Sequence, residues 1–296
     1  IIKKAFQIST SDRPGPVIIS LPENILEQYA TYKPIKSIKK KIPKISQSKV
    51  NNLLNRIEKS NKPLIIIGGG DWNNNGAIDL EYFANTNKIP YAVSFRRQSL
   101  VNSNRKGYIG DLSTSVDPKL IQIIKDSDLL LVVGARLGEM TTSGYSTINI
   151  NHKSKIIHVY PDIKEIGKVY KPLLGIKANS SNFSKLIRNK KIENINWQEW
   201  STNCRNNYIK YSTPPQYFSE PDMGKIIQIL RENMPNDTIV TIDAGNFSGW
   251  IQRFWKYTKA KTQLAPTSGA MGYSIPAAIS AKIARNTQLI LQHETG

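Results

Sequence analysis

Short continuous runs of β-branched and other apolar residues alternate along the chain with segments whose apolar positions recur at helical spacing. The runs at 64–67, 89–94, 129–133, 155–160 and 174–178 predict strands covered on both faces, because they lack the apolar/polar alternation of a half-exposed strand. Between them, 46–60 carries Val50, Leu53, Leu54 and Ile57 on one helical face, and 76–86, 118–126, 162–170 and 181–188 predict further helices. Pro118 suits the first turn of its helix. Strand and helix in alternation predict a parallel sheet with helices on both sides, so 46–190 reads as one doubly wound α/β domain.

The flanks read differently. Residues 17–21 predict a short strand between prolines. Residues 26–45 are polar and basic, punctuated by Pro34 and Pro43, and predict a linker. A second polar stretch, 191–217, holds Trp197, Trp200 and the Pro214–Pro215 pair and predicts another linker. Beyond it, Asp222 is placed to cap a helix running to 234, a strand at 238–242 ends at Asp243, helices follow the DAGN turn and Tyr273, and 288–291 predicts a last strand. Residues 218–296 thus predict the first part of a second α/β unit, broken off after its second strand.

Length and charge alter this picture only slightly. The 296 residues are a prior for about two domains. A net charge of +19 invites a nucleic-acid reading. The densest basic run, 36–44, sits in the first linker, and no zinc-finger, RNA-binding or basic-zipper pattern accompanies it, so a solvated basic surface without a nucleic-acid partner is expected. The single cysteine, Cys204, excludes an internal disulfide framework and suits a reducing cytoplasm. No apolar stretch approaches the roughly 18 residues of a membrane span, and no membrane partner is expected. The chain opens without Met on IIKKAF and stops on LILQHETG, which leads us to expect a fragment cut at both ends.

Candidate chemistry concentrates at glycine-rich strand ends. Gly68, Gly69 and Gly70 follow a buried strand and suit either close approach of a dinucleotide phosphate or a tight turn without ligand. Arg136, in GARLGEM, stands just past another strand, where it suits an anion clamp or an ion pair with Glu139. His152, His158 and His293 share no ligand spacing, which favours structural roles over a metal site. Cys204 has no base beside it. DAGNFSGW sets Asp243, Gly245 and Asn246 at a strand end that opens a helix, and TSGAMGYSIPAAI sets Gly269, Met271 and Gly272 at the mouth of the next.

Taken in order, RPGPVIISLP (13–22), GARLGEM (134–140), DAGNFSGW (243–250) and GAMGYSIPAAI (269–279) resemble thiamine diphosphate-dependent enzymes of the acetolactate synthase and pyruvate decarboxylase group, the large subunits of acetolactate synthase in particular. The resemblance implies three successive α/β domains: the C-terminal tail of a pyrimidine-binding domain over 1–25, a central domain and the start of a diphosphate-binding domain. It implies thiamine diphosphate with Mg2+ in the complete protein, the catalytic Glu lying upstream, a GDG metal motif beginning near Gly296, and no catalytic residue or metal ligand within the chain. It implies that Gly269 offers its carbonyl to the cofactor's amino group, that Met271 props the bent cofactor within the Gly269, Ala270, Met271, Gly272 turn, and that Gly245 and Asn246 lie near the diphosphate. Asn246 and Phe247 replace the Gln and His usual there. FAD is implied only for some relatives. Gly69 and Arg136 match its nucleotide site, whereas GYIGDLSTS (107–115) departs from the flavin enzymes' GMHG-like turn. The implied reaction decarboxylates a 2-keto acid and transfers the acyl carbanion to a second carbonyl, as in branched-chain amino-acid biosynthesis, within a homodimer or homotetramer whose active site lies between subunits. The fragment alone is then expected to be inactive. The rivals are a non-oxidative 2-keto acid decarboxylase or lyase of the same family, a noncatalytic nucleotide-binding module, and a nucleic-acid binder.

Overall fold

The computed structural model describes residues 1–31, 44–148, 155–216, 221–286 and 288–293. The basic run up to Lys44 falls almost wholly outside these residues, as do Pro34, Pro43 and His152. Helices α1 (Ile2–Thr10) and α2 (Glu23–Leu26) come first. Residues 17–21 form no strand, and Ile18 is 95% exposed. A lone β-branched run needs a neighbouring ladder, and none pairs with it among the described residues.

The expected alternation follows, as α3 (Gln47–Glu58), β1 (Pro63–Ile67), α4 (Gly76–Thr86), β2 (Tyr91–Ser94), β3 (Tyr108–Leu112), α5 (Pro118–Asp126), β4 (Leu129–Val133), β5 (Ile156–Tyr160), β6 (Leu174–Lys177) and α6 (Ser180–Ile187). The six strands are parallel, in the order β3-β2-β1-β4-β5-β6. Leu64, Ile65, Ile66 and Ile67 of β1 are wholly buried in a core that also holds Val50, Leu53 and Ile57 of α3 and Leu120 and Ile124 of α5, each burial contributing about 1.5–3 kcal/mol. Helix α5 starts with Pro118 in its first turn, as its sequence predicts, and the structure adds a cap: the Asp117 side chain accepts the Lys119 amide at 2.9 Å.

Two segments depart from expectation within this unit. Strand β3, with Gly110 and Asp111 inside it, has no apolar run to announce it, and Gly110 at φ +120 accompanies a shift of register against β2. Residues 162–170 form turns instead of a helix: the Asp162 carboxylate accepts the Lys164 amide at 2.9 Å, and Gly167 sits at φ +83.

The second polar stretch is also more ordered than a linker. It carries α7 (Gln198–Ser212), preceded by the buried Trp197, whose indole donates to the Asn87 carbonyl at 3.0 Å. Cys204 and Tyr208 are buried one turn apart, and Tyr208 meets Tyr108 of β3 edge-on at 5.0 Å. The second unit comprises α8 (Met223–Asn233), β7 (Ile239–Ile242), α9 (Ser248–Phe254), β8 (Gln263–Leu264), α10 (Ser274–Ala284) and β9 (Ile290–His293). Its sheet is parallel in the order β8-β7-β9, so it holds three strands rather than the two expected. Asp222 caps α8 as predicted, accepting the Lys225 amide at 3.0 Å. Val240, Ile242, Ile251, Phe254 and Trp255 make its core.

Candidate functional site

The DAGN and GAMG motifs, distant in sequence, meet through one side chain. Asp243 leaves the end of β7 only 2% exposed. Its carboxylate accepts the amides of Tyr273 and Ser274 at 2.7 Å each and of Gly272 at 3.2 Å, capping α10 from the neighbouring strand end. Gly269 and Gly272 flank Met271 at φ +74 and +77, conformations that side-chain-bearing residues adopt at a cost. Nothing lies within 4 Å of where a Cβ would stand at either glycine. Ala270 is exposed, and the Met271 side chain is 79% exposed. Across the same strand end, Gly245 and Asn246 are exposed, and the amides of Gly245, Asn246 and Phe247 donate no hydrogen bond among the described residues. The Gly245 carbonyl is fixed by the Ser248 amide at 3.1 Å and hydroxyl at 2.7 Å. The result is a shallow cradle of open glycine turns with free N–H groups on one side and an apolar prop on the other.

The first sheet reverses strand order between β1 and β4, the place where open α/β sheets receive ligands. Here the structure brings Gly69 and the GARL loop together and closes the space between them. A Cβ on Gly69 would stand 2.0 Å from the Gly134 carbonyl oxygen, and one on Gly134 would stand 2.6 Å from the Ser180 hydroxyl. The Asp71 carboxylate takes the first turn of α6, accepting the Ser180 amide and hydroxyl at 2.7 Å each and the Asn179 side-chain amide at 3.1 Å. Arg136 pairs with Glu165 at 3.0 Å rather than with Glu139. Arg13 and Lys168 reach the same carboxylate at 3.4 Å. Burial alone would push the Glu165 carboxyl up, and Arg136 and Lys168 outweigh it, holding the group below the usual range.

His158 is buried, with its Nε2 2.9 Å from the Ala135 carbonyl, and burial lowers its pKa. Among the described residues no group of three or more His, Cys, Asp or Glu could hold a metal ion, and no helix is long and apolar enough to cross a membrane. Two features escaped the sequence. His293 stacks on Phe247 at 4.7 Å, roofing one side of the DAGN turn. Arg96, just beyond β2, donates from Nη2 to the Asp243 carbonyl at 3.2 Å. The paired arginines Arg96 and Arg97 just after a buried strand are the sequence signal for it.

Residues 50–186 match the family described as thiamine pyrophosphate enzyme, central domain, and residues 243–292 match thiamine pyrophosphate enzyme, C-terminal TPP binding domain. The chain belongs to the thiamine pyrophosphate enzymes. It is similar to acetolactate synthase 3, chloroplastic, of Brassica napus, with 26% identity over 98% of this chain and 46% of that protein. It is 23% identical to the acetolactate synthase isozyme 2 large subunit of Escherichia coli (strain K12), over 98% of this chain and 52% of that one. A large subunit from Porphyra purpurea is 26% identical over 98% and 51%. The chain thus spans about half the length of these curated relatives.

As a thiamine pyrophosphate enzyme, the chain offers a seat that fits part of its cofactor. The amides at 245–247, which donate no hydrogen bond among the described residues, suit a diphosphate, and the open turn at 269–272 leaves room for a ring system against Met271. The same test fails for a flavin diphosphate at the β1/β4 crevice, where an anion would meet the Asp71 carboxylate on α6 and find Arg136 already engaged.

Proposed function

We propose that this chain forms the central and diphosphate-binding parts of an acetolactate synthase-like enzyme, which decarboxylates a 2-keto acid and joins the resulting acyl unit to a second carbonyl. The observation that carries this reading is the Asp243 carboxylate joining the DAGN and GAMG turns into one open cradle. Bound thiamine diphosphate supplies the electron sink that decarboxylation requires. The chain's own residues hold and orient it. Gly245 and Asn246 present backbone N–H groups to the diphosphate, Gly269 presents its carbonyl to the amino group, and Met271 packs beneath the rings. Mg2+ accompanies the diphosphate through ligands outside this set.

We infer further that the enzyme works in the cytoplasm as a homodimer or homotetramer with its active site between subunits. Exposed Ile275, Ile279 and Ile283, spaced one helical turn apart on α10, and the exposed Met271 in the turn before it support an assembly in which another subunit covers them.

Two measurements test the reading. Titration with thiamine diphosphate and Mg2+, followed by tryptophan fluorescence, is expected to saturate, and Gly269→Val to abolish the response; no response at millimolar cofactor overturns it. Pyruvate given to the assembled holoenzyme is expected to yield acetolactate and CO2. Free aldehyde as the sole product would assign the enzyme to the decarboxylases instead.

A further inference from the structure

The segment after β2 is stitched to the second unit by buried polar contacts. The Gln98 amide donates to Gln263 Oε1 at 3.0 Å, and its side chain donates to the Gln252 carbonyl at 2.7 Å. The Ser103 amide and hydroxyl both donate to the Tyr257 carbonyl, at 2.8 and 2.7 Å. Arg96 is the member of this seam that reaches the cofactor cradle. It is 6% exposed and held at φ +57, a conformation disfavoured for a residue with a long side chain. Its guanidinium lies over the Phe95 ring at 5.1 Å, and Nε and Nη1 are buried without a hydrogen-bond partner among the described residues. The half-buried Asp111, the buried Tyr257 and Asp243 all act on its charge, and the hydrogen bond it makes is to the Asp243 carbonyl. A buried cation in a strained backbone persists only where its surroundings over-determine it, and such placement is characteristic of functional sites.

Asp243 therefore receives hydrogen bonds at both ends. Its carbonyl is held from the first unit by Arg96, and its carboxylate holds the amides of Gly272, Tyr273 and Ser274. We propose that Arg96 is a positioning residue for the cofactor turn: by fixing the Asp243 backbone it aims the carboxylate that shapes 269–272, so that the six-stranded unit sets the geometry of a site in the other unit. The link to the cofactor rests on the function proposed above; the link to the turn does not.

Arg96→Gln and Arg96→Lys test this, with amide hydrogen exchange read at 272–274 and at 65–67 of β1, alongside thiamine diphosphate affinity. Loss of one charge-assisted hydrogen bond is expected to speed exchange at 272–274 by about tenfold in Arg96→Gln, with β1 unchanged, and to weaken the cofactor by a similar factor. Arg96→Lys, which keeps a cationic donor, recovers most of both. Exchange that accelerates equally at both places, or not at all at 272–274, overturns the proposal by reducing Arg96 to a structural role. Should Arg96→Gln not fold, Arg96→Lys alone decides: a rise well below tenfold and confined to 272–274 supports the proposal, and a uniform rise or none overturns it. If the turn responds as expected while the wild-type chain binds no cofactor, the positioning stands and the cofactor reading falls.

Discussion

The two sheets of this chain use the same device to opposite ends. In each, an aspartate just past a parallel strand takes the first amides of a helix from elsewhere: Asp71 after β1 caps α6, and Asp243 after β7 caps α10. At the first sheet the glycine loops beside the cap press against each other, with Gly69 on Gly134. At the second, the glycine turn beside the cap has open space at Gly269 and Gly272. A helix N-terminus at a strand end is therefore no guide to an anion site once a carboxylate has taken its amides. What separates a structural turn from a binding turn here is the free surface left beside the cap.

The sharpest way to break this comparison is to add one methyl group on each side. Gly69→Ala combines a positive φ with a Cβ placed 2.0 Å from a backbone oxygen, and is expected to cost about 3 kcal/mol of stability. Gly269→Ala meets only the φ penalty, roughly 1 kcal/mol. Denaturant unfolding of the two variants measures the difference, and equal losses would refute the distinction.

A smaller effect is expected at the seam between the regions. Burial pushes the Asp111 carboxyl up to about 7, against the opposing pull of Ser113, Arg96 and Gln98. The folded state then holds this proton more tightly than the unfolded state. Stability from the protonated form is present below the ordinary carboxylate range and declines as pH rises toward 7, then levels. Asp111→Asn keeps an acceptor for Gln98 and loses the titration, so its melting temperature relative to wild type should climb by a few degrees between pH 5 and pH 8. A constant offset across that range would contradict the assignment. The smallest effect belongs to Arg136→Ala. Its ion pair with Glu165 is 46% exposed on the arginine side, so unfolding should change by no more than about 0.5 kcal/mol. A loss of several kcal/mol would refute the reading of this pair as an exposed surface contact.

The sequence disclosed what depends on local chemistry. Uninterrupted runs such as Leu64–Ile67 and Leu129–Val133 read as buried strands, and Pro118 and Asp222 marked helix starts that the structure reproduces. The glycine pair around Met271 was legible because positive φ selects glycine. Hidden were features whose cause is remote in sequence. Trp200, Cys204 and Tyr208 were a helical stripe diluted by polar neighbours, and so α7 read as a linker. Glu165 reaches Arg136 from a different loop than the nearer Glu139, and Arg96 acquires its role only once Asp243 is folded against it. Residues 17–21 show the reverse error, a strand propensity without a partner strand.

The lone cysteine has a practical consequence. Cys204 is buried in α7, and burial pushes its thiol up to about 12, so near neutral pH almost none of it is thiolate and little of it is reachable. The chain is thereby nearly silent toward alkylating reagents. A cysteine introduced at the exposed Ala270 would carry a spectroscopic label of its own, turning the mouth of α10 into a reporter of cofactor arrival.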